Sequence, residues 1–148
     1  MKLITYNNIK YFQSNLLRKH NFIHAFFTKG YRKNEPSELQ NELNLNSNIH
    51  FSKQVHSNKV IQIKNTFNLE QSIADCLITK VKKKSLWIYT ADCIPILIAD
   101  RKNRNIAACH SGLEGLKKKI ISKTITKFED IGSKKSNLII AIGPSIKG

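Results

Sequence analysis

The chain has 148 residues, 41% of them hydrophobic and 24% charged. That is the size and composition of one ordinary folded domain, and it excludes a wholly disordered, collagen-like or low-complexity chain. Lysine and arginine number 25 against 10 acidic residues, a formal charge of +15. Lysine (21), isoleucine (21) and asparagine (15) together supply 57 of the 148 residues. The skew reads as a genome-wide compositional bias, with a selected basic surface as the alternative.

No apolar stretch reaches the roughly 18 to 20 residues a membrane span needs, because Asp92, Asp100 and His110 interrupt the longest runs. The first residues, Met1 to Asn8, lack the apolar core and small-residue cleavage site of a signal peptide. Cys76, Cys93 and Cys109 are an odd number without a framework spacing. They point to thiols in a reducing compartment, hence a cytoplasmic protein with no membrane partner.

In chain order, the region up to Asn48 is polar and uneven. Phe22 to Thr28 reads as a strand ending at Lys29-Gly30. Glu35 to Leu45 reads as a short helix after Pro36, followed by an asparagine-rich loop. From Val60 the pattern sharpens into strands at Val60–Ile63, Ser72–Thr79, Ser85–Thr90 and Ile94–Ala99. Pro95 suits the first residues of its strand or an edge. Arg101 to Asn105 is a turn into a strand at Ile106–Cys109. These strands are almost wholly apolar, so their sheet should be covered on both faces. Leu113, Leu116, Ile120, Ile121, Thr124, Phe128 and Ile131 then follow helical spacing, predicting one amphipathic helix of roughly 17 residues that stops at Gly132. A last strand covers Asn137–Ile142. The class is mixed α/β.

Five histidines occur, and His56 and His110 sit in turn-like contexts beside strands. Cys93 lies at a strand end in Thr90-Ala91-Asp92-Cys93. Two imidazoles and one thiolate form a sensible zinc set with one position left open, the catalytic rather than the closed structural pattern. The spacing also fits a packed thiol and two unrelated histidines, since no local motif such as C-x-x-C is present. Cys76 and Cys109 lie inside apolar runs and read as small packed hydrophobes. Asp75 or Asp92 could orient a ligand histidine, or simply cap a turn.

Five short motifs occur in order: Gln54-Val55-His56, Ala74-Asp75-Cys76, Thr90-Ala91-Asp92-Cys93-Ile94-Pro95, Cys109-His110-Ser111-Gly112 and Ile142-Gly143-Pro144-Ser145-Ile146. Together they resemble the YfiH-type family, also called laccase-domain or multicopper polyphenol oxidoreductase proteins. The resemblance implies a mixed β-sheet sandwich with flanking helices, incomplete here because family members continue past the Gly143-Pro144 turn. It implies a zinc held by His56, Cys93 and His110. It implies purine nucleoside phosphorylase activity on adenosine, inosine or methylthioadenosine, with adenosine deaminase activity. Purine nucleoside and phosphate are then the partners, with a homo-oligomer or a complementing C-terminal fragment left open.

Lys29 stands where similar proteins carry an arginine in T-R-x-G-G and is a candidate for positioning phosphate. The family's H-A-G-W-R-G appears as His110-Ser111-Gly112-Leu113-Glu114-Gly115, which exchanges a tryptophan for Leu113 and an arginine for Glu114. A copper-dependent phenol oxidoreductase is a second reading, although one His/Cys/His set cannot build several copper centres. A non-catalytic remnant or basic binding protein is a third. Nucleic acid is not expected as a partner, because the lysines are scattered, aromatics are 8% and no binding motif occurs.

Overall fold

The computed structural model describes residues 1–28, 35–64 and 72–146. The chain opens with an antiparallel hairpin, β1 (Lys2–Tyr6) and β2 (Ile9–Gln13). Asn7 and Asn8 turn it with φ of 47° and 65°, a left-handed pair that asparagine tolerates and that matches the strand twist. The sequence reading assigns no element here, because Asn-Asn is a weaker turn signal than Asn-Gly. Ser14 then caps α1 (Asn15–Lys19), its hydroxyl accepting the Leu17 amide at 3.3 Å.

The predicted strand at 22–28 shrinks to β3 (Phe26–Phe27), which joins the hairpin sheet beside β2. Its first half is instead a loop organised around His24. The His24 Nδ1 faces the Phe22 carbonyl and its Nε2 accepts the Ser14 amide, both at 2.8 Å. The helix expected at 35–45 is α2 (Pro36–Glu42), started by the proline. β4 (Asn48–His50) follows it.

β5 (Val60–Ile63), β6 (Cys76–Thr79), β8 (Ile94–Asp100), β9 (Ile106–Ser111) and β10 (Leu138–Ile142) build a five-stranded sheet in the order β10-β8-β9-β6-β5. Only the β5–β6 pairing is parallel. β7 (Lys84–Leu86) leaves this sheet and pairs with β4 in a separate parallel ribbon. Pro95 is the second residue of an interior strand, opposite His110. Its position near the strand start, rather than an edge, is what the sheet accommodates.

Alternation along β8 sorts the core into two layers. Ile96 and Ile98 join Cys76, Ile78, Ala107 and Cys109 on one face, under Ile120 and Phe128 of α4 (Ile120–Asp130). Ala99, with Leu97 against it, joins Ile139 and Ala141 on the other face, under Leu17 of α1 and Phe26 of β3. Both faces are thus covered over the middle of the sheet. Ile140 and Ile142 of β10 remain 41% and 60% exposed.

The long helix expected over Leu113–Ile131 is broken. α3 (Leu113–Lys117) ends in Lys118, Lys119 takes a left-handed φ of 59°, and α4 starts anew. The apolar spacing does not form one buried stripe across the break: Leu113 and Leu116 of α3 lie at the surface, whereas Ile120 of α4 is completely buried. Gly132, at φ +94°, ends α4 where the sequence placed the stop.

Phe128 is the largest fully buried side chain and ties α4 to the sheet. Phe128→Ala is expected to lower unfolding free energy by about 3–5 kcal/mol, measured by urea titration at constant m-value.

Candidate metal centre

Asp75 organises the site. It precedes β6, and the register that sets Cys76 opposite Cys109 sets Asp75 opposite His110 of β9. The His110 amide donates to the Asp75 carbonyl at 2.7 Å. The Asp75 carboxylate, with no exposed surface, accepts four further hydrogen bonds from the 55–57 turn. The amides of Val55 (3.3 Å), His56 (3.0 Å) and Ser57 (2.7 Å) converge on it, as does the Ser57 hydroxyl (2.7 Å). Three successive N–H groups around one anion form a backbone nest. His56 at its centre has φ 58°, a conformation a side chain adopts only when its surroundings hold it there.

The same carboxylate holds the second imidazole, with His110 Nδ1 lying 2.9 Å from Asp75 Oδ1. A carboxylate on Nδ1 fixes the tautomer with the proton there, so Nε2 keeps its lone pair for a ligand. Burial alone would raise the Asp75 pKa. Hydrogen bonds from the Ser57 hydroxyl and amide, from His110 and from the Val55 amide outweigh it and hold the carboxyl below its usual range.

Cys93 arrives on the bend just before β8. Gln54 binds its loop to the histidine loop, donating to the Tyr89 carbonyl at 2.7 Å and accepting the Tyr89 amide at 2.8 Å. Cys93 Sγ then lies 3.8 Å from His56 Nε2, and the two histidine rings meet edge to face with centroids 4.8 Å apart. Gly112 makes this approach feasible, since a Cβ there would sit 3.0 Å from both Cys93 Sγ and His56 Cδ2.

One donor atom from each of His56, Cys93 and His110 falls within 4.8 Å of the others. Tetrahedral bonds of about 2.0–2.3 Å place donors roughly 3.3–3.8 Å apart. The group is therefore within about an ångström of a closed metal geometry, and its N, N, S chemistry suits zinc.

Of the other sequence candidates, Asp75 meets His110, whereas Asp92 is exposed and takes part in no hydrogen bond or ion pair among the described residues. Lys29 lies outside the described residues. Leu113 is 68% exposed, and Glu114 pairs with Lys117 at 3.1 Å and Lys118 at 3.7 Å on the outer side of α3. Gln54, Ser57 and Gly112 were not singled out by the sequence. Gln54 and Gly112 lie inside quoted motifs, but nothing local reveals what they touch. The remaining cysteines are spectators: Cys76 and Cys109 are fully buried, and burial pushes the Cys76 thiol well above its ordinary pKa.

Residues 32–148 match the family described as multi-copper polyphenol oxidoreductase laccase. The chain belongs to this family. It is 35% identical over 131 residues to a purine nucleoside phosphorylase of Synechocystis, an alignment covering 84% of this chain and 50% of that protein. It is 33% identical over 136 residues to a purine nucleoside phosphorylase of Rickettsia conorii, covering 85% and 53%. The fold is that of Bacillus licheniformis YfiH, with a TM-score of 0.62 at 17% identity over 93% of this chain and 57% of the other. The chain spans about half the length of the curated relatives it matches.

Asp75→Asn is expected to weaken zinc affinity about 10–100-fold, read by chelator competition. It should also flatten acid unfolding. A carboxyl whose folded pKa is depressed stabilises the fold above its unfolded value of about 3.9, and that contribution disappears as pH falls through the lower folded value. Gly112→Ala should separate Cys93 from His56 and weaken zinc binding by about tenfold, as for a supporting residue of a metal site, while the melting temperature of the metal-free protein shifts little.

Proposed function

We propose that this chain is a zinc-dependent purine nucleoside phosphorylase acting on adenosine, inosine or methylthioadenosine, with accompanying adenosine deaminase activity. The observation that carries the reading is the convergence of His56, Cys93 and His110, in a family whose curated relatives bear the phosphorylase name. A zinc bound there supplies Lewis acidity, polarising a substrate oxygen or lowering the pKa of water.

The chain's own residues supply the rest. His110 offers Nε2 because Asp75 holds its other nitrogen. Cys93 offers sulfur from the mouth of the site, half-exposed, where a thiolate is accessible. Three protein ligands leave one position for substrate, and Gly112 keeps the ground beside Cys93 and His56 clear of a side chain. Lys29 is proposed to position phosphate, supplying charge but not the two-pronged fork of arginine. The three free thiols fit a reducing cytoplasm, and no helix among the described residues is long and apolar enough to cross a membrane.

Copper-dependent phenol oxidation is the weaker reading. The described residues hold one three-ligand group, and four-electron oxygen chemistry needs several copper centres.

Protein purified with zinc should carry about one ion per chain, and Cys93→Ala and His110→Ala should each lose it, measured by elemental analysis. Inosine and adenosine should be cleaved to free base only when phosphate is present. Folded, zinc-loaded protein that turns over neither nucleoside overturns the proposal.

A further inference from the structure

A second feature lies away from the metal centre, on the seam between α4 and β5. A cleft of about 580 Å³ opens there, with Lys118, Lys119, Lys123 and Lys127 along the helix wall and Lys59 on the strand wall. Lys119, Lys123 and Lys127 recur every four residues, about 6 Å apart along the axis, so they stand in one row. Like charges at this spacing repel. Little offsets them: Lys127 is 3.6 Å from Asp130, the acidic residue at the cleft's end, and Lys118 leans on Glu114. Lys59, Lys119 and Lys123 have no ion-pair partner among the described residues.

The cleft is also structurally fixed. The Asn58 side chain donates to the Lys118 carbonyl at 2.6 Å, bolting the entry of β5 to the junction of α3 and α4. The break at Lys119, where its backbone turns left-handed, brings Lys118 and Lys119 to the head of the row. Past Asp130 the trough continues to Lys64 and Lys80. Among the described residues, no aromatic side chain lines either part.

We infer that this cleft, built by Lys59 facing Lys119, Lys123 and Lys127, holds the phosphodiester backbone of a single-stranded nucleic acid without reading its bases. A file of lysines whose backbone positions step along the helix by about 6 Å matches a chain of regularly spaced phosphates better than one compact anion. Without aromatic rings there is no platform for base stacking, so recognition is electrostatic and independent of sequence. A linear file of cations along one helix wall, met by Lys59 on the strand side, suits a strand laid along it rather than a membrane plane. The sequence reading gave no such partner because the lysines are dispersed from position 59 to 127 and meet only in the fold. The inference does not rest on the proposed enzyme activity.

The test is fluorescence anisotropy with a labelled twelve-nucleotide oligouridine on the zinc-loaded protein, at several salt concentrations. With Lys127 paired to Asp130, contact by the other three lysines, Lys59, Lys119 and Lys123, predicts that log affinity falls with log salt with a slope of about −2, roughly −0.7 for each phosphate neutralised on a single strand. Lys59→Ala with Lys123→Ala should weaken binding at least tenfold and make the slope shallower by about 1.4. The corresponding Lys→Arg pair should bind like the unaltered protein, which separates lost charge from a damaged fold. Lys2→Ala with Lys10→Ala, on the remote hairpin, should leave binding unchanged. Equal losses in the hairpin and cleft variants mean diffuse attraction to a basic protein and overturn the inference. Displacement of the strand by orthophosphate at equal phosphate concentration means a single-anion site and overturns it too.

Discussion

A single buried carboxylate holds the candidate metal centre together. Asp75 accepts three consecutive amides, a hydroxyl and an imidazole. An unpaired carboxylate without solvent contact is expensive, so the loop that satisfies it has little freedom to be elsewhere. The nest sets the left-handed backbone of His56, and the register of β6 and β9 sets His110. Two histidines that enter from a turn and a strand are thereby referenced to one side chain. Cys93 is the third point, placed by the Gln54 clamp and by the clearance at Gly112. Removing the anion leaves donors in the right neighbourhood with nothing to aim them.

How legible this was depended on range. Strands from Val60 onward announce themselves by composition, because both faces of their sheet are covered over its middle and apolar residues fill most positions. The exceptions are the run from Ser72, of which only Cys76–Thr79 is strand, with Ile73 in an isolated bridge to Lys53, and the run from Ser85, where only the first residues pair, and with β4 instead of the main sheet. The hairpin at the N-terminus is half-exposed, so its alternation is soft. The helix break at Lys119 is invisible to a 3.6-residue period, which registers where apolar residues recur and not whether the backbone between them stays helical. At the site, the residue types of the three ligands were readable. Which aspartate supports them was not. Asp75 and Asp92 occupy similar Ala-Asp-Cys triplets, and only strand pairing puts one of them opposite a histidine.

The three cysteines show how burial divides one chemistry into two uses. Cys76 and Cys109 face each other across β6 and β9 beneath α4, and the Thr124 hydroxyl reaches the Cys76 sulfur at 3.3 Å. Burial pushes the Cys76 thiol well above its ordinary pKa and so keeps it unreactive. Cys93, outside that layer, keeps access to solvent and to two imidazoles. The Ala-Asp-Cys triplet occurs twice, yet the sheet assigns the cysteine of one copy to packing and leaves that of the other beside two imidazoles.

The ligands also lie far apart along the chain, from His56 to Cys93 and on to His110, with 37 residues separating the first two. An unfolded chain would have to close both intervening loops to chelate an ion, at an entropic cost the native sheet has already met. An ion that prefers the assembled trio therefore pulls the folding equilibrium toward the native state by mass action. Where the trio takes up an ion as proposed, metal supply becomes a determinant of how much folded protein persists, independent of whether any substrate is present.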